Sequence, residues 1–161
     1  GEEGEIHVRS AYSMLRYWGN ETATAETIKQ GRWLAMGDIG KIIDGKLYIN
    51  SRARDMIIRS GENIYPVEIE HRLESHPFIH EAAVLGVDDD EKGQIAKAII
   101  VLNDNGQFEV DTFLEWCSET LASYKVPEIW EHRTSALPRT ASGKVIKGAL
   151  TGDREISGFD D

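Results

Sequence analysis

A lysine that follows a glycine in a short polar loop is the first feature of this sequence that could do chemistry. Residues 137–144 read Leu-Pro-Arg-Thr-Ala-Ser-Gly-Lys, with a restricted backbone at Pro138 and a permissive one at Gly143. The ammonium of Lys144 is a compact point charge that suits a phosphate or carboxylate oxygen. The loop is not a P-loop, because it lacks the earlier glycine and the Lys-Ser/Thr ending. Most lysines are simply solvated, so this one is a candidate only if other residues support it.

A carboxylate placed among glycines is the second candidate. Asp38 stands in the segment Met-Gly-Asp-Ile-Gly, residues 36–40. Its two oxygens could accept hydrogen bonds from a vicinal diol such as a ribose. Asp and Gly also form turns for purely local reasons, so a simple turn is an equally good interpretation of this segment.

Three charged residues, Arg52, Arg54 and Asp55, stand together just before a short apolar run. A turn at Ser60-Gly61 follows that run, and a helix begun by a proline follows the turn. Acidic residues in the first turn of this helix are favoured by the helix dipole, so local structure accounts for them. Local structure does not explain why Arg52, Arg54 and Asp55 stand together before the apolar run.

These segments together resemble, in order and spacing, the signature motifs of the adenylate-forming superfamily, which includes acyl-CoA synthetases, luciferases and peptide-synthetase adenylation domains. The matching segments are residues 4–9 with 17–18, 31–33, 36–40, 51–70 and 137–144. The similarity spans nearly the whole chain, and several ordered motifs are far more specific than any single one. The sequence therefore resembles the carboxy-terminal part of an acyl-CoA synthetase of the fatty-acid-CoA-ligase type.

The resemblance implies a role for each charged candidate. Asp38 and Arg52 would contact the ribose of the adenylate. Arg54 would be the hinge residue about which the last domain rotates. Lys144 would be the catalytic lysine of adenylation, where it would neutralise the approaching carboxylate and phosphoryl oxygens.

The resemblance also implies that CoA binds at Ser60 and Gly61, where backbone would approach the pantetheine arm. Two residues depart from the family pattern. Met36 stands where the family usually has Thr, which removes a hydroxyl beside the nucleotide site. Ser51 replaces the usual Gly before Arg52, which is a milder change.

The implied activity is that of an AMP-forming acid–thiol ligase, which uses ATP with Mg²⁺ and CoA to activate a carboxylic acid, with a fatty acid as the expected substrate. The phosphate loop, adenine pocket and acyl tunnel of the family belong to a larger amino-terminal domain that is missing from this sequence. We therefore expect that domain as a partner and no ligase activity from these residues alone. Two alternatives stay open: a peptide-synthetase-type adenylation domain that passes the acyl group to a carrier protein, or a noncatalytic interaction module of the same fold.

The elements expected around these motifs are those of an α+β protein. An Asp44-Gly45 pair between apolar runs predicts a tight hairpin, and the apolar runs 82–87 and 95–102 predict a longer one. Helices are expected from Pro66, from Asp111 as a cap through Leu121, and over residues 144–150. The resulting fold is a small domain of antiparallel hairpins and flanking helices, preceded by a β-rich remnant.

The domain limits follow from the change of character near residue 53. Residues 1–53 are expected to be the end of the large amino-terminal domain, residues 54–150 the mobile carboxy-terminal domain, and residues 151–161 a tail. Histidines 76 and 80 are interpreted as surface residues rather than metal ligands, so no metal site is expected. Cys117 stands on an apolar helical face and is predicted to belong to the core.

Composition limits the possible partners. The formal net charge of -10 argues against nucleic acid, whose binding depends on arrayed cations. The single cysteine excludes an internal disulfide framework. No apolar run approaches the roughly 18–20 residues that a membrane helix requires, so we expect no transmembrane segment and a cytoplasmic location.

Overall fold

The computed structural model describes residues 1–151, which form two compact units. The first unit runs from Gly1 to Asp55, and the second begins at Met56. The domain limits expected from the sequence, 1–53 and 54–150, stay predictions, as does the parent domain assigned to each unit. Apart from Thr151, the expected tail lies outside the described residues.

The first unit is an antiparallel sheet of four strands in which one long strand contacts the other three. Its elements are β1 (Gly4–Val8), α1 (Glu21–Thr27), β2 (Ile28–Lys29), β3 (Trp33–Ile43) and β4 (Lys46–Arg52). β3 pairs with β1, β2 and β4. Asp44 and Gly45, at φ 49° and 74°, form the turn between β3 and β4, so the predicted hairpin is confirmed.

The second unit is a five-stranded sheet with two helices. Its elements are β5 (Ile57–Arg59), β6 (Glu62–Ile64), α2 (Pro66–Glu74), β7 (Ile79–Asp89), β8 (Gly93–Leu102), α3 (Val110–Ser118) and β9 (Ile129–Arg133). β8 pairs antiparallel with β7, which confirms the predicted long hairpin, and β9 pairs parallel with β8. The α+β class is therefore confirmed, with one parallel strand added to an otherwise antiparallel sheet.

Apolar residues cover both faces of the second sheet. Along β7 and β8 successive side chains point to opposite faces, so each strand contributes to two cores. The helices cover one face, where the buried residues include Val84, Ile100, Ile69, Leu73, Phe113 and Cys117. The segment after β9 covers the other face, where Ala83, Leu85, Ile99 and Val101 pack with Leu137 and, in part, with Val145 and Leu150. The segment that carries Lys144 is thus anchored to the sheet on both sides of that residue.

Two predicted helices differ in detail from the observed ones. α3 begins at Val110, with Glu109 at the N-cap, so the prediction that Asp111 caps the helix is wrong. Asp111 instead lies in the first turn, where the helix dipole favours an acidic side chain. The predicted helix over residues 144–150 is only a single 3₁₀ turn, Lys147–Ala149, because the preceding residues pair in a hairpin.

The interpretation of His76 as a surface residue is wrong. Its side chain is buried among the rings of Phe78, Phe113 and Trp116, with centroid distances of 5.4, 5.2 and 5.0 Å. Burial, with a smaller contribution from the Arg72 guanidinium, lowers the pKa of His76. The prediction for the cysteine is confirmed, since Cys117 is fully buried and burial raises its pKa to about 11. No helix in residues 1–151 is long and apolar enough to cross a membrane.

Candidate functional site

Lys144 directly follows the turn of a small hairpin. The Gly143 amide donates to the Thr140 carbonyl at 2.8 Å, and the Thr140 amide donates to the Lys144 carbonyl at 2.8 Å. A bridge between Arg139 and Val145 closes the base. Gly143 has φ 85°, a conformation that other residues adopt only with strain, so glycine is required where the chain turns. The backbone position of Lys144 is therefore well defined.

The charge of Lys144 is exposed, and its ammonium makes no hydrogen bond or ion pair with residues 1–151. Most cations of the second unit differ from it in this respect. Within residues 56–151 the cations that pair with carboxylates at 2.5–3.0 Å are Arg59, Arg72, Lys92, Lys97, Lys125, Arg139 and Lys147. A cation without a counter-charge can meet an anionic ligand without first breaking an ion pair.

One buried carboxylate holds the base of the Lys144 hairpin. Glu81 lies on β7 with 11% of its side chain exposed. Its Oε2 accepts from the Leu137 amide at 3.2 Å and from Arg139 Nη2 at 3.0 Å. The same guanidinium donates through Nη1 to the Gly143 carbonyl at 2.8 Å. The sequence analysis did not identify Glu81, although an acidic residue within an apolar strand is a signal of a paired buried charge.

A second ion pair attaches the segment that follows the hairpin to the rest of the unit. Lys147 Nζ lies 2.7 Å from Glu70 Oε1 and donates to the Val84 carbonyl at 3.1 Å. The Val84 amide donates to Glu70 Oε1 at 2.8 Å. The two side chains thus satisfy the amide and the carbonyl of Val84 at the β7 edge, which could otherwise pair with another strand.

The two residues with an expected ribose role contact one another. Asp38 and Arg52 are cross-strand partners on β3 and β4, and Arg52 Nε lies 2.9 Å from Asp38 Oδ1. The carboxylate is 23% exposed and the guanidinium 49%. Arg52 therefore orients the Asp38 carboxylate before any ligand arrives, and Asp38 lies within a strand rather than forming the simple turn that the sequence left open.

Arg54, the expected hinge residue, lies where the first unit ends. Ala53–Asp55 form a single 3₁₀ turn, and 80% of the Arg54 side chain is exposed. Its nearest carboxylate is that of Asp55, with 3.6 Å from Nε to Oδ1. An exposed pair at that distance contributes little, so the Arg54 side chain is only weakly held within the described residues.

Ser60 and Gly61 form the two-residue turn between β5 and β6. Their φ angles are 50° and 86°, which is the pattern of a type I′ turn. The Ser60 amide donates to the Lys92 carbonyl at 2.7 Å. A Cβ added at Gly61 would meet nothing within 4 Å, so the backbone at that position is open to a ligand.

Glu128 braces this second turn. It lies 2.9 Å from Arg59, which precedes Ser60, and 2.5 Å from Lys92, whose carbonyl accepts from the Ser60 amide. The hydrogen bond from Lys92 and the neighbouring Arg59 together hold the pKa of Glu128 below its ordinary value, although partial burial acts in the opposite direction. Arg59 and Lys92, the two cations beside the turn, are therefore held by the same ionised carboxylate.

Residues 1–151 contain no group of three or more His, Cys, Asp or Glu side chains that could hold a metal ion. The described units instead offer an ordered carboxylate–guanidinium pair, an open backbone turn and an unpaired cation. Such a set can bind a diol, admit a slender chain beside the backbone and neutralise charge on oxygen. The roles themselves stay predictions.

Known proteins match this chain over most of its length. The family model described as AMP-binding enzyme C-terminal domain matches residues 68–144. Feruloyl-CoA synthase from an Amycolatopsis species is 43% identical over 151 residues, which are 93% of this chain and 30% of that protein. The long-chain-fatty-acid–CoA ligase FadD13 of Mycobacterium tuberculosis is 41% identical over 149 residues, 92% of this chain and 29% of that protein.

A solved structure gives the same result. The o-succinylbenzoate CoA synthetase MenE from Bacillus subtilis, in complex with the acyl-adenylate intermediate OSB-AMP, superposes with a TM-score of 0.85 at 37% identity. The match covers 96% of this chain and 31% of that one, so the chain spans about a third of the length of the relatives that it matches. The family model, the relatives and the fold agree: the chain carries the AMP-binding enzyme C-terminal domain at residues 68–144, and over most of its length it is similar to part of known CoA ligases.

Proposed function

We propose that this chain is the carboxy-terminal part of an ATP-dependent acyl-CoA synthetase, which activates a carboxylic acid as acyl-adenylate and transfers the acyl group to CoA. The observation that carries the proposal is Lys144. It is an exposed cation, without a carboxylate partner among the described residues, at a backbone-fixed turn of the matched family segment. A catalytic cation requires this combination of an available charge and a defined position.

In the first half-reaction a carboxylate oxygen bonds to the α-phosphorus of ATP. The bond from that phosphorus to the bridging oxygen of pyrophosphate breaks, which leaves acyl-adenylate and pyrophosphate. Negative charge concentrates on the carboxylate and phosphoryl oxygens, and Lys144 neutralises it without transferring a proton. Mg²⁺ would arrive bound to ATP.

Asp38 holds the ribose of the adenylate. The carboxylate accepts hydrogen bonds from the vicinal hydroxyls, and Arg52 keeps the carboxylate oriented. The 2.9 Å cross-strand pair supports this assignment, because an oriented acceptor loses less freedom when the nucleotide binds.

In the second half-reaction the CoA sulfur bonds to the acyl carbonyl carbon, AMP leaves through its phosphate oxygen and the thiol releases its proton. The pantetheine arm passes the Ser60-Gly61 turn, whose open backbone supports this role. Between the half-reactions the last domain rotates about Arg54, which withdraws Lys144 and brings the turn to the acyl group. The sparse contacts of Arg54 support its role as the hinge.

We propose that the carboxylic acid that is activated is a fatty acid. We also propose that the protein is located in the cytoplasm. The relatives include feruloyl, long-chain fatty acyl and o-succinylbenzoyl enzymes, which differ in the acyl group that they activate. The acyl pocket and the phosphate loop belong to the missing amino-terminal domain. These 161 residues alone are therefore proposed to have no ligase activity, and turnover of ATP and a fatty acid by them would refute that.

The test uses the full-length protein and follows the two half-reactions separately. Acid-dependent exchange of pyrophosphate into ATP measures adenylation, and release of AMP from supplied acyl-adenylate upon addition of CoA measures thioester formation. We expect both with wild-type protein and medium- to long-chain fatty acids. Adenylation without transfer to CoA would favour a carrier-protein thiol as acceptor, and neither reaction with a panel of aliphatic and aromatic acids would overturn the proposal.

A further inference from the structure

The Lys144 hairpin is connected to the sheet by a continuous set of polar contacts that starts at one carboxylate. Glu81 is among the few buried charged residues of the described chain, at 9% exposure. Taking a carboxylate out of water is unfavourable unless it is paired and hydrogen-bonded, so each partner of Glu81 is informative. The hydrogen-bond partners are the Leu137 amide and the Arg139 guanidinium, which stand at the start of the hairpin, and His80 Nε2 lies 3.8 Å from the other carboxylate oxygen.

The guanidinium extends this connection to the turn. Arg139 uses one nitrogen for Glu81 and another for the carbonyl of Gly143, the residue directly before Lys144. A planar fork with several donors can bridge two acceptors in this way. Glu81, Arg139 and the Gly143 carbonyl are therefore joined by consecutive hydrogen bonds. These bonds lead from the buried side of strand β7 to the backbone next to Lys144.

We propose that Glu81 is a positioning residue for Lys144, acting through Arg139, and that it supports adenylation but not thioester formation. This inference rests on the proposed function. The backbone turn alone fixes the shape of the hairpin, whereas the Glu81 contacts, the apolar anchors and the Lys147 ion pair that follows fix the hairpin to the sheet. A displacement of about 1 Å at a reacting group can cost about 100-fold in rate, so such an anchor affects catalysis without touching substrate.

The experiment compares Arg139→Gln, Arg139→Lys and Glu81→Gln with the matched control Glu131→Gln in the full-length protein. Glu131 pairs with Lys97 at 2.7 Å on β9 of the same sheet and makes no hydrogen bond or ion pair with the hairpin within residues 1–151. We expect Arg139→Gln and Glu81→Gln to lower the adenylation rate about 10-fold, with the rate of thioester formation unchanged. Arg139→Lys keeps a cation beside Glu81 but loses the planar fork that also reaches the Gly143 carbonyl, so it should restore only part of the adenylation rate.

A double-mutant cycle tests whether the effect passes through Lys144. If Arg139 acts by placing that ammonium, adding Arg139→Gln to Lys144→Ala should change the residual adenylation rate by less than about 2-fold. The same two changes multiply their effects if they act independently. Independent effects, equal losses in both half-reactions, or a wild-type rate in Arg139→Gln would each overturn the inference and leave the proposed function intact.

Hydrogen exchange provides a readout that needs no activity. The Gly143 and Lys144 amides should exchange about 10-fold faster in Arg139→Gln and Glu81→Gln than in Glu131→Gln, because the hairpin opens more often. Unchanged exchange would overturn the anchor itself. If wild-type protein forms no adenylate, the proposed function fails, and with it the catalytic part of the inference, whereas the exchange data still decide whether Glu81 holds the hairpin. Should Glu81→Gln fail to fold, the exposed Arg139 variants decide the question.

Discussion

Two tight turns of the second unit have the same construction but present different chemistry. The turn at residues 140–143 and the turn at Ser60-Gly61 each place a glycine at positive φ, and each is braced by one carboxylate through an arginine. Glu81 braces the first and Glu128 the second. The two turns differ in whether a neighbouring cation lacks a carboxylate partner among the described residues.

At the first turn the cation that follows the glycine has no partner among the described residues. At the second turn the neighbouring cations, Arg59 and Lys92, are both held in ion pairs with Glu128, so the turn presents backbone and open space. A free ammonium suits phosphoryl and carboxylate oxygens, whereas an uncharged, open backbone suits the slender pantetheine arm. One small domain could serve the two proposed half-reactions in this way, with a cation left free at one turn and the neighbouring cations held in ion pairs at the other.

Lys144→Ala should give the largest effect. Removing one preorganised electrostatic group from a charged transition state lowers rates by about 100- to 1000-fold, so adenylation in the full-length protein should fall by that factor. Thioester formation from supplied acyl-adenylate should stay within about 2-fold of wild type, since no charge at this turn is used there. Pyrophosphate exchange and AMP release measure the two rates. Equal losses in both would remove the proposed distinction between the turns.

Gly61→Ala should act on the other half-reaction. A methyl group there enters the space through which the pantetheine arm is proposed to pass, and alanine also resists φ 86°. We expect thioester formation to fall about 10-fold or more, with adenylation retained.

A matched control separates these two causes. Gly45 is the second residue of a similar turn, at φ 74°, with nothing within 4 Å of an added Cβ. Gly45→Ala therefore introduces the same backbone strain at a turn without a proposed role. If both variants lose thioester formation to the same extent, strain rather than the site explains the loss, and the CoA assignment at Gly61 is wrong.

Glu128→Gln should have a smaller effect at the same turn. The amide cannot hold Arg59 and Lys92 as an ionised carboxylate does, so the Ser60-Gly61 turn becomes less well fixed. The KM for CoA should rise by about 3- to 5-fold without a change in the adenylation rate, as expected for weakened substrate binding. Glu119→Gln, which removes the 2.5 Å ion pair with Arg72, is the control and should leave the KM for CoA unchanged.

Strand patterns and turn residues made much of the fold predictable. Asp44-Gly45 between apolar runs gave the β3–β4 hairpin, and two long apolar runs gave β7 and β8, because local chemistry decides such turns. The parallel pairing of β9 could not be predicted, since it depends on contacts between segments far apart in sequence. His76 was misassigned for the same reason: its burial comes from rings contributed by α3.

The candidate site was predictable only in part. The charged motif residues were identified by resemblance, but Glu81 and Glu128 carry no motif, and their partners lie 56 or more and 36 or more residues away in the chain. Such pairs become visible only when the sheet brings the strands together. The sequence thus indicated which groups could react, whereas the structure indicated what holds their turns in place.

Acid should weaken the brace of the Ser60-Gly61 turn in a defined pH range. Because the folded pKa of Glu128 lies below its ordinary value of 4.5, its ionised form stabilises the fold above about pH 4.5, and this contribution is lost as the pH falls through the lower folded value. Wild-type protein should therefore melt a few degrees higher than Glu128→Gln at pH 7, and the difference should disappear as the pH falls below 4.5.

The protonation of His76 does not confuse this measurement. Its folded pKa is lowered from 6.5, so acid also destabilises the protein below pH 6.5 because the unfolded chain takes up the proton first. That effect is the same in wild type and in Glu128→Gln, and it cancels in the difference between their melting temperatures. A difference that persists unchanged to pH 3 would show that Glu128 stabilises the turn by packing rather than by charge, and the two braces would then differ in mechanism as well as in position.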